Sequence, residues 1–192
     1  MANKVALAIG HSRTINGHLD GGAETWDGHS NEWRFNCDLA GRIQGKLAVL
    51  GVEAPIFDHY QGDGYGQAMQ WMADQIDAAG CIAGIEMHFN SAEPLAHGHE
   101  VLFCSGSVRG EAFAKFLEAT LSAHFNTPAR GAHPLTSADR GYAAVQKPRA
   151  VMIISEPFFG SSQEDWEAMA ARIDELADAF VEAIMNFLKW VH

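Results

Sequence analysis

Long apolar runs, paired cysteines and positive charge are all scarce in this chain of 192 residues. No segment approaches the roughly 18 consecutive apolar residues of a membrane span. The amino terminus, Met1-Ala2-Asn3-Lys4, runs into a strand-like stretch of about six residues, without the longer apolar segment and cleavage site of a secretory signal. Synthesis in the cytoplasm is therefore expected. The three cysteines, Cys37, Cys81 and Cys104, are widely spaced and form no C-x-x-C pair. That argues against a disulfide framework and against a thiolate metal site, and leaves reduced core thiols as the expectation. Thirteen Lys and Arg against 24 Asp and Glu give a net charge of −11. A general electrostatic grip on nucleic acid or on an anionic membrane is thereby disfavoured. Low-complexity tracts, fixed-period repeats and Pro/Ser-rich linkers are also missing, so residues 1–192 read as a single domain with one sizeable core.

What is present is an alternation of strand and helix signals. Val5 to Ile9 reads as a buried strand, and the stretch from His11 to Ser30, with Gly17, Gly21, Gly22 and Gly28, as a loop of about twenty residues, a length that is often functional. From Asn31, a plausible cap, Trp33, Leu39, Ile43, Leu47 and Leu50 fall at helical spacing until Gly51. Val52 to Phe57 is predicted to be a strand, Tyr65 to Ala79 a helix, Cys81 to Met87 and Glu100 to Cys104 strands, and Gly110 to Phe125 a helix. A short strand at Tyr142 to Val145 and a buried one at Ala150 to Ser155 complete the sheet, and Gln163 to Trp190 is predicted to be one long helix. The fold class is α/β: a single three-layer domain, with a mixed sheet of about six strands flanked by helices on both faces.

Chemistry is concentrated where these elements end. Gly10-His11 closes the first apolar run, Asn31-Glu32 opens a helix, and Met87-His88 closes another apolar run. Two imidazoles and a carboxylate from separate elements leave the fourth position of a tetrahedral ion open to water, as in a catalytic rather than a structural zinc site. Side chains leaving the carboxyl ends of neighbouring strands converge above the sheet edge, where open α/β sheets place their ligands. The run Val151-Met152-Ile153-Ile154-Ser155 ends in Glu156, a candidate proton shuttle. Asn36, four residues after Glu32, shares its helix face and could hold Glu32 or a substrate carbonyl. Glu24, in the glycine loop, competes with Glu32 as a ligand but lacks the helix start. By themselves these residues imply metal-assisted hydrolysis and nothing finer.

In order along the chain, Gly10-His11, Asp20-Gly21-Gly22-Ala23, Glu32 to Asn36, Met87-His88-Phe89-Asn90-Ser91-Ala92, Gly98-His99-Glu100, Arg140-Gly141 and Glu156-Pro157-Phe158-Phe159 resemble the motifs of zinc-dependent N-acetylmuramoyl-L-alanine amidases of the Amidase_3 type, which include phage endolysins. No single motif is specific; their order from Val5 to about Gly160 is. The resemblance implies zinc as cofactor, His11, Glu32 and His88 as its ligands, and Glu156 as the catalytic carboxylate. It also implies peptidoglycan as partner and hydrolysis of the amide between N-acetylmuramic acid and L-alanine; the lack of a signal and of an attached wall-binding module fits an endolysin-like chain that acts on the wall after release, and a monomer is favoured. Ser12, in place of the usual second glycine, and Pro157 depart from the pattern without removing a ligand.

Two other readings stay open: a zinc amidohydrolase or carboxypeptidase acting on a soluble peptide or acyl amino acid, and a non-catalytic wall-binding module of the same fold. His18, His29, His97 and His133 lie in loops that could rim a cleft, although exposed loop histidines are common. Arg140 could face developing negative charge, with a structural ion pair as the plainer role. The five tryptophans are expected to pack in the core.

Overall fold

The structure, a computed structural model, describes residues 3–60, 62, 64–93 and 95–191. Six strands form one mixed sheet: β1 (Val5–Ile9), β4 (Ile56–Phe57), β5 (Ala83–Met87), β6 (His99–Cys104), β7 (Ala129–Leu135) and β8 (Val151–Glu156), in the order β4-β1-β5-β8-β6-β7. The first four of that order run parallel, and β6 pairs antiparallel with β8. Strands β1 and β5 are buried along their whole length; β1 accordingly reads as an unbroken apolar run, whereas β5 carries the buried carboxylate Glu86 in its interior.

Alternate residues feed two cores. Val5, Leu7, Ile9, Ile85 and Ile153 face α1 (Glu32–Val49), α3 (Val108–His124) and α6 (Ile173–Val191). Ala6, Ala8, Met152 and Ile154 face α2 (Tyr65–Ala79) and α4 (Tyr142–Gln146). The three-layer arrangement is therefore as the sequence predicts. Asn31 caps α1, its side chain accepting from the Arg34 N–H at 3.0 Å, and Phe35, Leu39, Ile43 and Leu47 form the buried stripe. Leu50 is exposed and ends the helix. Among the described residues no helix is long and apolar enough to cross a membrane.

Five elements differ from the sequence expectations. The loop after His11 contains a small hairpin, β2 (Thr14–Ile15) with β3 (His18–Leu19), turning through Asn16 and Gly17, both at positive φ. The strand expected from Val52 shrinks to Ile56–Phe57, with Glu53 bridging to Lys4. Tyr142 to Val145 is helical, because four residues carry too little periodicity to separate the two states. β7 was not expected at all, since Gly131 and Pro134 argue against a strand; it lies at the sheet edge, where a missing N–H is tolerated. The long carboxyl-terminal helix is two, α5 (Gln163–Ala170) and α6. Met169 and Leu176 are both fully buried, so the apolar spacing runs unbroken through a break that periodicity cannot reveal. Arg172 holds that break, donating to the His124 carbonyl at 2.9 Å and lying 4.4 Å over the Phe125 ring.

Candidate metal centre

The register Ile9↔Met87 and Met87↔Ser155 brings the carboxyl ends of β1, β5 and β8 to one edge. A cavity of about 460 Å³ opens there, and His11, Glu32, His88 and Glu156 all line it. One ligating atom each from His11, Glu32 and His88 lies within 4.8 Å of the others.

Each of the three is delivered by a different device. His11 follows β1 with φ at 56°, a left-handed conformation that is uncommon outside glycine and turns its ring back over the edge. Its Nε2 lies 3.4 Å from Glu32 Oε2, and its Nδ1 lies 3.3 Å from Asp20, which Arg13 holds at 2.8 Å. Glu32 opens α1, where the partial positive charge of the helix N-terminus favours a carboxylate. It is 3 % exposed and accepts from the N–H groups of Ala23 and Phe89, each at 3.2 Å. Burial pushes its carboxyl up, but hydrogen bonding and charge from His88, with His11 and the Ala23 N–H, outweigh it and set the pKa below the usual carboxylate value.

His88 approaches Glu32 Oε1 through Nδ1 at 2.8 Å, and its other nitrogen, Nε2, lies 3.3 Å from Glu86 Oε1. Burial works against protonation of this ring, yet the two carboxylates outweigh it and raise its pKa well above the ordinary histidine value. Two glycines make room for the cluster. A Cβ on Gly10 would collide with the His88 ring, and one on Gly22, at φ 69°, would lie 2.5 Å from Glu32 Oε2.

Glu156 ends β8 on the same cavity, and its Oε2 is buried without a hydrogen-bond partner among the described residues. Burial, reinforced by the charges of Glu32, Glu100 and Glu86 and opposed by His88, lifts its pKa to about 8. An orphaned, proton-retaining carboxyl of this kind can exchange a proton with a group in the cavity.

The donor set fits zinc. Ligand atoms at about 2.0–2.1 Å around a tetrahedral ion sit roughly 3.3 Å apart. The Glu32 contacts lie near that spacing, with His11 through Oε2 at 3.4 Å and with His88 through Oε1 at 2.8 Å, and one ligating atom from each of the three residues falls within 4.8 Å of the others.

Other expected contributors are elsewhere. Glu24 is exposed and outside the cluster, which leaves Glu32 as its carboxylate. Asn36 is fully buried, and neither of its amide atoms has a hydrogen-bond partner among the described residues; the backbone and His88 hold Glu32 instead. None of His18, His29, His97 and His133 lines the cavity, and no tryptophan does; Arg140 does. The sequence reading missed Glu86, Tyr60 and Tyr65, which also line it. For Glu86 a signal was available: it stands two residues before His88, hence on the same face of a strand covered on both sides.

Comparison with known proteins bears on the fold. No family model and no curated protein matches the sequence. Among solved structures, the chain is similar to an N-acetylmuramoyl-L-alanine amidase from Clostridium difficile 630, with 17% identity, coverage of 98% of this chain and 97% of that one, and a TM-score of 0.80. The N-acetylmuramyl-L-alanine amidase Ami1 from Mycobacterium smegmatis is similar at 21% identity, 98% coverage of both chains and a TM-score of 0.80. The catalytic domain of the CD27L endolysin targeting Clostridia Difficile is similar at 19% identity, with 96% of this chain and 97% of that one covered and a TM-score of 0.80. Over almost its whole length, the chain has the fold of these N-acetylmuramoyl-L-alanine amidases.

Proposed function

We propose that the chain is a single catalytic domain that hydrolyses the amide between N-acetylmuramic acid and L-alanine in peptidoglycan, with zinc held by His11, Glu32 and His88. The observation that carries this reading is the convergence of those three side chains within 4.8 Å, with Glu156 on the same cavity, in a chain of the amidase fold. When bound, zinc supplies Lewis acidity toward a carbonyl oxygen and toward water.

The protein's own groups do the rest. His11, Glu32 and His88 would hold the ion at the carboxyl edge of the sheet, and the scissile amide would lie in the cavity they line. In its ionised form, which the positive charge of a bound ion would favour, Glu156 through its unpartnered Oε2 takes a proton from the attacking water and returns it to the leaving amine nitrogen. Arg140, on the cavity wall, offers a guanidinium to the substrate. With a net charge of −11, the chain recognises its polymer through cleft contacts rather than bulk attraction.

Mass spectrometry of purified muropeptides digested with and without a chelator tests the proposal. Intact stem peptides bearing an amino-terminal L-alanine should appear, and the chelator should abolish them. Cleavage within the stem peptide would instead identify a carboxypeptidase, and wall binding without new amino groups would identify a binding module.

A further inference from the structure

We propose that Glu86 is a positioning residue that fixes the proton of His88 on Nε2 and thereby presents the Nδ1 lone pair to the cation. The inference rests on the reading of His88 as a ligand. Two carboxylates sit at opposite edges of this one imidazole ring: Glu32 at Nδ1, 2.8 Å away, and Glu86 at Nε2, 3.3 Å away. They are not equivalent. Glu32 also reaches His11 and belongs to the set of atoms that can share an ion, whereas Glu86 does not belong to it.

A neutral imidazole has one N–H and one lone pair, and an ionised carboxylate only accepts. A carboxylate fixed at Nε2 therefore demands the N–H there and leaves Nδ1 as the donor to a metal. Ligating histidines generally hand their second N–H to such a partner, which sets both tautomer and ring orientation.

Glu86 is well built for the task. It is 6 % exposed and lies inside β5, a strand hydrogen-bonded on both sides, to β1 and to β8. Its spacing of two from His88 places both side chains on one face, so the contact is set by the strand itself. Burying a carboxylate in a sheet costs several kcal/mol unless it is compensated, and a leucine there would serve packing better. Asp20 stands in the matching place behind His11, but on the glycine loop, where Arg13 steadies it. The His88 side of the centre has its support built into the sheet.

The test compares the full-length chain with Glu86→Gln and Glu86→Leu. Zinc affinity is read by competition with a chromogenic chelator, and the His88 tautomer by long-range nitrogen-proton correlation of the zinc-loaded imidazole rings. Glu86→Leu should weaken zinc about 10- to 100-fold while Tm stays the same or rises. Glu86→Gln, whose amide oxygen still accepts from Nε2–H, should recover most of that affinity. The wild-type ring should carry its proton on Nε2. Unchanged affinity in Glu86→Leu, or a proton on Nδ1 in the wild type, would overturn the assignment, and the second result needs no variant to fold. Failure of the metal reading looks different: the wild type would then bind zinc no better than Glu32→Ala.

Discussion

Two polar clusters flank the carboxyl end of β8, one on the cavity, where carboxylates surround the histidines, and one around His99, where hydroxyls do. At the rear, His99 is fully buried and both ring nitrogens meet hydroxyls, Thr127 Oγ1 and Ser122 Oγ, each at 3.0 Å. Nearby, Asp165 Oδ2 accepts from the backbone N–H groups of Gly98 and Phe159, each at 2.9 Å. Asp165 Oδ1 is buried without a hydrogen-bond partner among the described residues, but it does not line the cavity. At the front, His11, Glu32 and His88 crowd one point, while Glu156 leaves an oxygen unpaired on the cavity. Buried polar groups are normally satisfied, so a cluster that holds its donors around a common point is arranged for something other than stability. The two histidines record the difference: burial prevails at His99 and lowers its pKa, whereas carboxylates prevail over burial at His88 and raise it.

Substitution should separate the clusters by what is lost. The largest effect is expected at the front, where His11→Ala, Glu32→Ala or His88→Ala leaves two protein ligands. Zinc content should fall from one per chain to near zero, with release of L-alanine-terminated peptides at background. Full zinc in Glu32→Ala, checked by metal analysis, would place the carboxylate ligand elsewhere. Glu156→Gln should come next: zinc and fold retained, turnover down by about 10² to 10⁴. Loss of zinc in that variant would make Glu156 a ligand instead.

Glu156→Gln also carries a signature in stability. The folded carboxyl titrates near 8, against 4.5 for an unperturbed group. Below 4.5 it is protonated whether the chain is folded or not, and burial then costs nothing extra. As pH rises from 4.5 to 8 the unfolded chain releases a proton that the folded chain retains, so stability falls and the loss is complete above about 8. In chelator-treated protein, the Tm advantage of Glu156→Gln over wild type should therefore grow from pH 5 to pH 8 and then level. A gap independent of pH would mean that the carboxyl is not held protonated.

The rear cluster reverses the sign. His99 has a folded pKa below its ordinary 6.5, because burial disfavours its charged form. Its neutral hydrogen bonds contribute fully above 6.5, and the contribution is lost as pH falls and the unfolded ring takes a proton that the folded one refuses. His99→Gln should lower Tm at pH 7.5 without touching zinc content, and the deficit should narrow by pH 5. A variant that lost zinc instead would join the two clusters into one.

The front cluster was legible in the sequence to the extent that its members end apolar runs. His11 and His88 follow strands and Glu156 ends one, and the apolar residues of those strands mark where they stop. Glu32 was legible through the helix start and cap around it. Glu86 was overlooked although its spacing of two from His88 puts both on one face, because a charged residue alternating with Ile85 and Met87 looks like the solvent face of a half-buried strand. Only the second helical layer, α2 and α4, turns that face inward, and α4 is the element that local pattern misassigned. β7 and the break between α5 and α6 were hidden for a related reason: edge position and tertiary contact decided them.

The smallest expected effect concerns Asn36, whose place on the Glu32 face of α1 suggested a supporting hydrogen bond. The carboxylate is held instead by the N–H groups of Ala23 and Phe89 and by His88, while both polar atoms of the Asn36 amide are buried without partners. An unsatisfied buried polar group costs about 1–3 kcal/mol, and exchanging it for an apolar group of similar shape can be neutral or stabilising. The added volume of a leucine works in the other direction, since overpacking typically costs about 1–3 kcal/mol. With the two nearly offset, Asn36→Leu should shift unfolding free energy by no more than about 1 kcal/mol and leave zinc affinity unchanged, as read by denaturant titration and chelator competition. A drop in zinc affinity would show that Asn36 supports Glu32 after all and extends the front cluster into α1. A loss of stability alone, well beyond that range, would show that its amide is satisfied within the core and that it belongs, like His99, to the part of the molecule that only holds itself together.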